Sequence, residues 1–238
     1  MKIIDMVSAI RLFFLIFWTL LLMLLVPLLI PFTFNRQFPL YVARTLFSRV
    51  LLKIAGIKLT TYGVENVPTD RPVIFVANHC SHLDIGVLCR VAPINLHFIG
   101  KKELVWIPIV GWYMFIAGHI MIDRSNKRKA LESLKKAAIK IKNGKSVAMY
   151  PEGTRSKTGE MGEFKKGAFH LAIDADVSII PVHIKGTYRV WPSKVNRIAP
   201  GPVTVRIGKP IDSSIYTRKT VNSFVKEAKT VIETMGKS

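Results

Sequence analysis

The sequence predicts an α/β fold: a mixed, mostly parallel sheet of about seven strands, covered by helices on both faces and preceded by an N-terminal helical membrane anchor. Three observations lead to it. Short β-rich runs alternate with helical patterns from Lys58 onward, which calls for crossover connections. A long uncharged run occupies the amino end. No internal repeat, low-complexity tract or glycine-rich linker divides the remainder.

Composition narrows the function classes. The chain has 238 residues, 50% of them hydrophobic, and 35 Lys+Arg against 15 Asp+Glu give a net charge of +20. That much apolar surface excludes intrinsic disorder, and the length suits one domain with a short appendage. The 2 cysteines, Cys80 and Cys89, exclude a disulfide scaffold and a Cys-rich zinc site. A strongly basic chain attracts polyanions, and its hydrophobicity favours a lipid surface over nucleic acid. No nucleic-acid reader motif or interleaved aromatic stretch is present.

The elements follow in order. Leu12 to Ile30 carries no charge and is flanked by Lys2 and Arg11 before it and Arg36 after it. About 20 apolar residues match a bilayer core. A cleaved signal peptide has a shorter core and a small-residue cleavage site, whereas Pro27, Pro31 and Phe32 stand here, so a retained anchor is expected. The two prolines are expected to interrupt its helix. From Pro39 to Ile57, Leu40, Ala43, Phe47, Val50, Leu51 and Ile54 recur at helical spacing, with Arg44, Arg49 and Lys53 between them. Such a helix lies in a headgroup plane or packs on its own domain. A single span and a helical pair dipping into one leaflet both fit. Residues 1–57 therefore read as the anchor and 58–238 as one α/β domain.

Within that domain, strands are expected at Lys58–Tyr62, Val73–Ala77, His97–Ile99, His119–Ile122, Ser146–Tyr150, Val177–Ile184 and Val203–Ile207. Helices are expected at Leu83–Val91, Lys127–Lys142, Lys165–Ala175 and Val221–Met235.

Two strings at strand ends carry chemistry. The first, Asn78-His79-Cys80-Ser81-His82-Leu83-Asp84, follows the apolar strand Val73–Ala77. Ligand sites in open α/β sheets form at the carboxyl ends of strands. On a regular helix, His79 and Asp84 would point about 140° apart. They meet only if His79 stays in the loop and Asp84 enters the first helical turn. Ser81-x-x-Asp84 resembles a capping box and would start the helix there. Asp84 could then hold the imidazole in one tautomer. The plainer alternative is a capping Asp84 and a hydrogen-bonded strand-end His79. His79, His82 and Asp84 have no further ligand cluster nearby in sequence, so no metal is expected.

The second string is Tyr150-Pro151-Glu152-Gly153-Thr154-Arg155-Ser156, also after an apolar strand. Backbone amides at Gly153 and Thr154 can face an anion, and Arg155 offers a planar fork for phosphate or carboxylate. Lys157, Lys165 and Lys166 add positive field. An ordinary turn with a solvated arginine is the alternative.

Together, Asn-His-x4-Asp and, about 70 residues on, Pro-Glu-Gly-Thr-Arg-Ser resemble the glycerolipid acyltransferase family, most closely its bacterial 1-acyl-glycerol-3-phosphate acyltransferases. Phe98-Ile-Gly-Lys101-Lys102-Glu103-Leu104, Pro108-x-x-Gly111, Ile122-Asp123-Arg124 and Ile179-Ile180-Pro181-Val182 also occur in family order. The similarity covers roughly Leu59 to Ile211, together with the two-segment amino terminus.

The resemblance implies a membrane enzyme of phospholipid biosynthesis. It would transfer an acyl group from acyl-CoA or acyl carrier protein to the sn-2 hydroxyl of lysophosphatidic acid, giving phosphatidic acid, with no resident cofactor. His79 is then the general base and Asp84 its orienting carboxylate, without a covalent acyl-enzyme; Cys80 and Ser81 fall at variable motif positions. Lys101 and Arg155 fall to the acceptor phosphate, with Lys102 and Arg124 as further candidates. Asn78, Glu152, Gly153 and Thr154 support the loops, and amides near Gly153 are candidates for the developing oxyanion. The implied location is the bacterial cytoplasmic membrane, with the catalytic domain facing the cytoplasm.

The basic excess fits such a setting. Arg124 to Lys145 holds nine Lys/Arg and one acid, Glu132, and Lys185 to Lys209 holds six and none. Each is worth about 1 kcal/mol of attraction near an anionic membrane. Solvated faces explain the same residues. Two other readings stay open: a related acyltransferase acting on lyso-ornithine lipid, glycerol-3-phosphate or a lysophospholipid, and a non-catalytic basic membrane-binding protein.

Overall fold

The computed structural model describes residues 2–237; Met1 and Ser238, the outer ends of the two expected segments, lie outside it. Helix α1 (Lys2–Thr33) is followed by α2 (Phe38–Val42), a π-helical turn at Ala43–Phe47, and α3 (Ser48–Ala55). Then come β1 (Ile57–Tyr62), β2 (Ile74–Ala77), α4 (Leu83–Val91), β3 (His97–Lys101), α5 (Val110–Ile116), β4 (Ile120–Ile122) and α6 (Lys127–Lys142). The chain ends with β5 (Val147–Met149), α7 (Gly167–Ala175), β6 (Ile179–Lys185), α8 (Thr187–Val190), β7 (Gly201–Ile207) and α9 (Val221–Lys237).

The seven strands form one sheet in the order β1-β7-β6-β2-β5-β3-β4. Among the described residues, β6 and β7 are the antiparallel pair, so β1 and β7 run opposite to the other five. β2 lies between β6 and β5, with β3 and then β4 beyond. The carboxyl ends of β2, β5, β3 and β4 therefore share one edge, and the loops after them are neighbours.

Alternation along β2 builds a core on each face of the sheet. Phe75 and Ala77 join Leu15, Leu51, Leu83 and Val87 on one side. Ile74 and Val76 join Ile141, Phe169, Phe224 and Ile232 on the other. All four β2 side chains are fully buried, as a central parallel strand covered on both faces requires.

Three expectations need correction. Pro27 and Pro31 do not break α1, which is continuous from Lys2 to Thr33. Each proline forfeits one amide donor, and the remaining turns hold the helix, as they do in apolar helices generally. The segment from Pro39 is helical as expected, but with a π-helical turn at Ala43–Phe47, and it stops at Ala55, because Ile57 already belongs to β1. Its apolar side, including Leu40, Leu51, Leu52 and Ala55, is buried, so this segment packs on its own domain. Helix α5, which the sequence analysis left within a connection, lies between β3 and β4. At seven residues, apolar all round, it offers no 3.6-residue contrast to detect.

Candidate active site

The loop after β2 is built around one carboxylate. Asn78, 3% exposed, bridges to β6: its Nδ2 donates to the Ile184 carbonyl (2.9 Å) and its Oδ1 accepts from the Ile184 N–H (2.7 Å). The loop thus leaves the sheet at a fixed point. Ser81 then caps α4. Its Oγ accepts from the Leu83 N–H (3.2 Å), while the Ser81 N–H donates to Asp84 Oδ2 (2.8 Å), the reciprocal capping arrangement.

The same Oδ2 accepts from the Cys80 N–H (2.7 Å) and lies 2.8 Å from His79 Nδ1. A carboxylate can only accept, so Nδ1 carries the proton and Nε2 presents its lone pair. Asp84 is fully buried and His79 partly so. His79 is therefore upstream of the helix and Asp84 in its first turn, the one disposition in which the two side chains can meet.

The loop after β5 clasps this one. Glu152, 7% exposed, accepts from the His79 N–H through Oε1 (2.8 Å) and from the Gly162 N–H through Oε2 (3.0 Å). Burial raises its carboxyl above the ordinary value, and those two bonds pull the other way. The Ser156 N–H donates to the His79 carbonyl (2.7 Å), so both backbone groups of His79 are held from the second loop. Tyr150 stacks on the imidazole, with ring centroids 3.9 Å apart and planes 13° from parallel. Burial lifts its phenol well above the usual range, and its buried Oη has no partner. Sequence reasoning singled out Glu152 only for loop support and missed Tyr150 as a packing partner. Its place as the first residue of the second string was the available signal.

The remaining candidates divide. Arg155 is half-buried and its buried Nη1 has no hydrogen-bond partner. Lys101 ends β3 on the same sheet edge and is exposed. Lys102 turns to Asp123 (3.2 Å), and Arg124 is exposed after β4. Among the described residues, no polar contact joins Lys101, Lys102 or Arg124 to His79. Gly153 adopts φ 76° and donates its N–H to the Tyr150 carbonyl (3.0 Å), which closes the turn and occupies the amide expected to face an anion. Thr154 is exposed.

Comparison with known proteins fits this geometry. The acyltransferase family model matches residues 58–185, which hold both loops. The 1-acyl-sn-glycerol-3-phosphate acyltransferase of Cocos nucifera is 36% identical over 211 residues, 88% of this chain and 67% of its own. The Escherichia coli K12 protein of the same name is 32% identical over 189 residues, 79% and 76% of the two chains. The crystal structure of the 1-acyl-sn-glycerophosphate acyltransferase PlsC from Thermotoga maritima superposes with a TM-score of 0.82 at 28% identity, over 99% of this chain and 97% of that one. This chain belongs to the acyltransferase family.

Beside the acyltransferase's paired loops lies an apolar cavity of about 420 Å³, within the range of small-molecule sites. Helix α1 (Leu20, Met23), α4 (Ile85, Cys89) and α5 (Val110, Tyr113) wall it, and His82 and Trp191 line it next to the His79 loop. The His82 ring rests on Trp191, centroids 4.8 Å apart. Burial, then Arg155, lowers the His82 pKa to about 4, so His82 is neutral at physiological pH. Burial pushes the Cys80 thiol up to about 12, and its Sγ donates to the Gly159 carbonyl (3.4 Å). A protonated thiol so engaged is a poor nucleophile. The buried Arg155 Nη1 has no hydrogen-bond partner, and His79 is partly exposed beside the cavity.

Proposed function

We propose that this acyltransferase moves an acyl group from acyl-CoA or acyl carrier protein to the sn-2 hydroxyl of lysophosphatidic acid, releasing phosphatidic acid. The observation that carries the reading is the His79–Asp84 pair at 2.8 Å beside an apolar cavity. The names of the Cocos and Escherichia relatives support the acceptor.

His79 Nε2 takes the proton of the acceptor hydroxyl as its oxygen attacks the thioester carbonyl. The C–O bond forms, the C–S bond breaks, and the proton passes from His79 to the departing thiolate. No covalent acyl-enzyme is needed. Asp84 keeps Nδ1 protonated and stabilises the imidazolium formed in between. A general base of this kind contributes about 10²–10⁴-fold in rate. Arg155, with a buried Nη1 free of protein partners, takes the acceptor phosphate together with Lys101. The apolar cavity receives an acyl chain. Asn78 and Glu152 fix the loop that carries the base.

The site operates at a membrane, with the bacterial cytoplasmic face as the proposed location because acyl thioesters are cytoplasmic. Among the described residues, one helix, with its candidate span at Met6–Thr33, is long and apolar enough to cross a bilayer. Yet Ser8 accepts from the Ile198 N–H (2.7 Å), Trp18 donates to the Phe47 carbonyl (3.3 Å), and Leu15 and Val26 are buried. A helix bound along its length to the domain supports an anchor lying in one leaflet over one projecting across.

The test is transfer of a labelled acyl group by detergent-solubilised protein. Lysophosphatidic acid, glycerol-3-phosphate, lyso-ornithine lipid and a lysophospholipid are offered as acceptors, with acyl-CoA and acyl carrier protein as donors. Preference for lysophosphatidic acid is expected. Equal or better use of an acceptor without a phosphate monoester overturns the assignment.

A further inference from the structure

We propose that the connection from β3 to β4, centred on α5, is a second membrane-inserting element, seated in the same leaflet as α1. The inference rests on the membrane reading of α1 and extends it to the catalytic domain itself.

Its first support is chemical. From Leu104 to Gly118 the chain carries no charged side chain, although it crosses the surface of a protein with a net charge of +20. The apolar groups face outward as well as inward. Trp106 is 81% exposed, Trp112 71% and Phe115 81%, with Ile107 and Ile116 exposed beside them. Met114, Gly111 and Ala117 take the inner side. A helix covering a water-facing sheet edge carries charge on its outer face, as α6 does with its lysines. Indole rings favour the boundary between headgroups and acyl chains.

The second support is rigidity. A flexible segment could fold these rings away, and this one is fixed in place. The Gly111 N–H donates to the Ile107 carbonyl (2.8 Å), and a Cβ at Gly111 would stand 2.0 Å from the Val105 carbonyl oxygen. Ile109, a β-branched residue, is held at φ 66° and ψ −54° in a tight turn closed by the Val110 N–H donating to the Pro108 carbonyl (2.7 Å), a positive-φ conformation it rarely adopts. The Tyr113 hydroxyl donates to the Pro39 carbonyl (3.2 Å). The exposed aromatics are presented by design of the backbone.

The third support is continuity. Helix α5 packs against α1, and both wall the apolar cavity. The outer side of α1 is exposed from Phe13 through Leu28 to Phe32, so the two exposed apolar sides adjoin. A bilayer covers both elements with one surface. With both inserted, the cavity between them opens toward lipid, where an acceptor with an acyl chain resides.

Depth quenching by vesicles tests this on the full chain. The vesicles contain phosphatidylethanolamine and phosphatidylglycerol brominated along the acyl chains. Three reporters are made by Trp→Phe replacement elsewhere: Trp106 alone, Trp112 alone, and Phe13→Trp alone for α1. Loss of most emission at all three supports the proposal. Quenching of the Phe13→Trp reporter with Trp106 and Trp112 unaffected overturns it and leaves the α1 anchor standing. No quenching at any position overturns both. A blue shift of Trp106 and Trp112 that follows protein concentration without lipid makes the surface a contact between copies, and also overturns it. The unmodified chain provides a measurement independent of these variants. Hydroxyl-radical oxidation of Trp106, Trp112 and Phe115, read by peptide mass spectrometry, should fall when vesicles are added; unchanged oxidation overturns the proposal.

Discussion

The two loops at the catalytic edge are built on opposite plans. The loop after β2 is organised around one local carboxylate oxygen: Asp84 Oδ2 receives the Cys80 and Ser81 amides and the His79 ring, all within five residues. The loop after β5 works at long range, and Glu152 and Ser156 hold the His79 backbone from more than 70 residues away. The proposed base sits in the first loop, and its backbone is held by the second. Such division lets a short helix cap set the tautomer while the sheet sets the position. Substitutions in the two loops should therefore fail differently.

His79→Ala should give the largest effect, a loss of at least about 10²–10⁴-fold in turnover with unfolding midpoint and vesicle binding unchanged. Asp84→Asn should also reduce turnover strongly, because an amide no longer enforces the Nδ1–H tautomer. Initial rates with a labelled donor, together with thermal melts, check both. Most activity surviving in His79→Ala would remove the local loop from the chemistry.

Glu152→Ala should fail by another route. Two backbone N–H groups, of His79 and Gly162, lose their acceptor. At about 1–3 kcal/mol for each buried group, a loss of roughly 2–6 kcal/mol is expected. For a chain of this size, that lowers the melting temperature by roughly 4–24 °C. Turnover should fall as well. A variant with normal stability and no activity would make Glu152 a participant in the reaction and erase the contrast between the loops.

Arg155→Ala should leave stability nearly unchanged and impair use of the acceptor. A charge-assisted contact of about 1.5–3 kcal/mol corresponds to about 10- to 150-fold in kcat/KM for lysophosphatidic acid. Arg155→Lys should rescue only part of this, because an ammonium cannot reproduce the planar fork. Varying donor and acceptor separately decides the matter. A defect confined to the donor would place Arg155 on the coenzyme or carrier phosphate.

The smallest effect is expected at Cys80. With two weak hydrogen bonds lost, to the Gly159 carbonyl and from Asn78 Nδ2, Cys80→Ala should retain turnover within about tenfold. Burial pushes both Cys80 and Cys89 up to about 12, so at pH 8 both thiols remain protonated in the folded chain. Iodoacetamide labelling should be slow below about pH 12 and become rapid on unfolding, as followed by mass spectrometry. Rapid labelling of native protein with loss of activity would return Cys80 to contention as a nucleophile.

The sequence by itself determined the seven strands, most of the helices between them and the position of both motifs at strand ends, and it set the condition under which His79 could meet Asp84. Each of these rests on short-range physics. Side-chain period distinguishes strand from helix, and a Ser-x-x-Asp cap leaves only one way for the two residues to face each other. Tertiary structure alone decided the rest. Tyr150 lies under His79 because β2 and β5 are neighbours in the sheet, a pairing that no local pattern encodes. The cavity exists because α1, α4 and α5 converge from distant parts of the chain, and its lining has the composition of an ordinary core. The exposure of Trp106, Trp112 and Phe115 was likewise hidden, since an apolar side chain reads the same whether it faces a core or a bilayer. Local periodicity is written in neighbouring residues; which faces meet, and which are left uncovered, depends on packing between elements far apart in sequence.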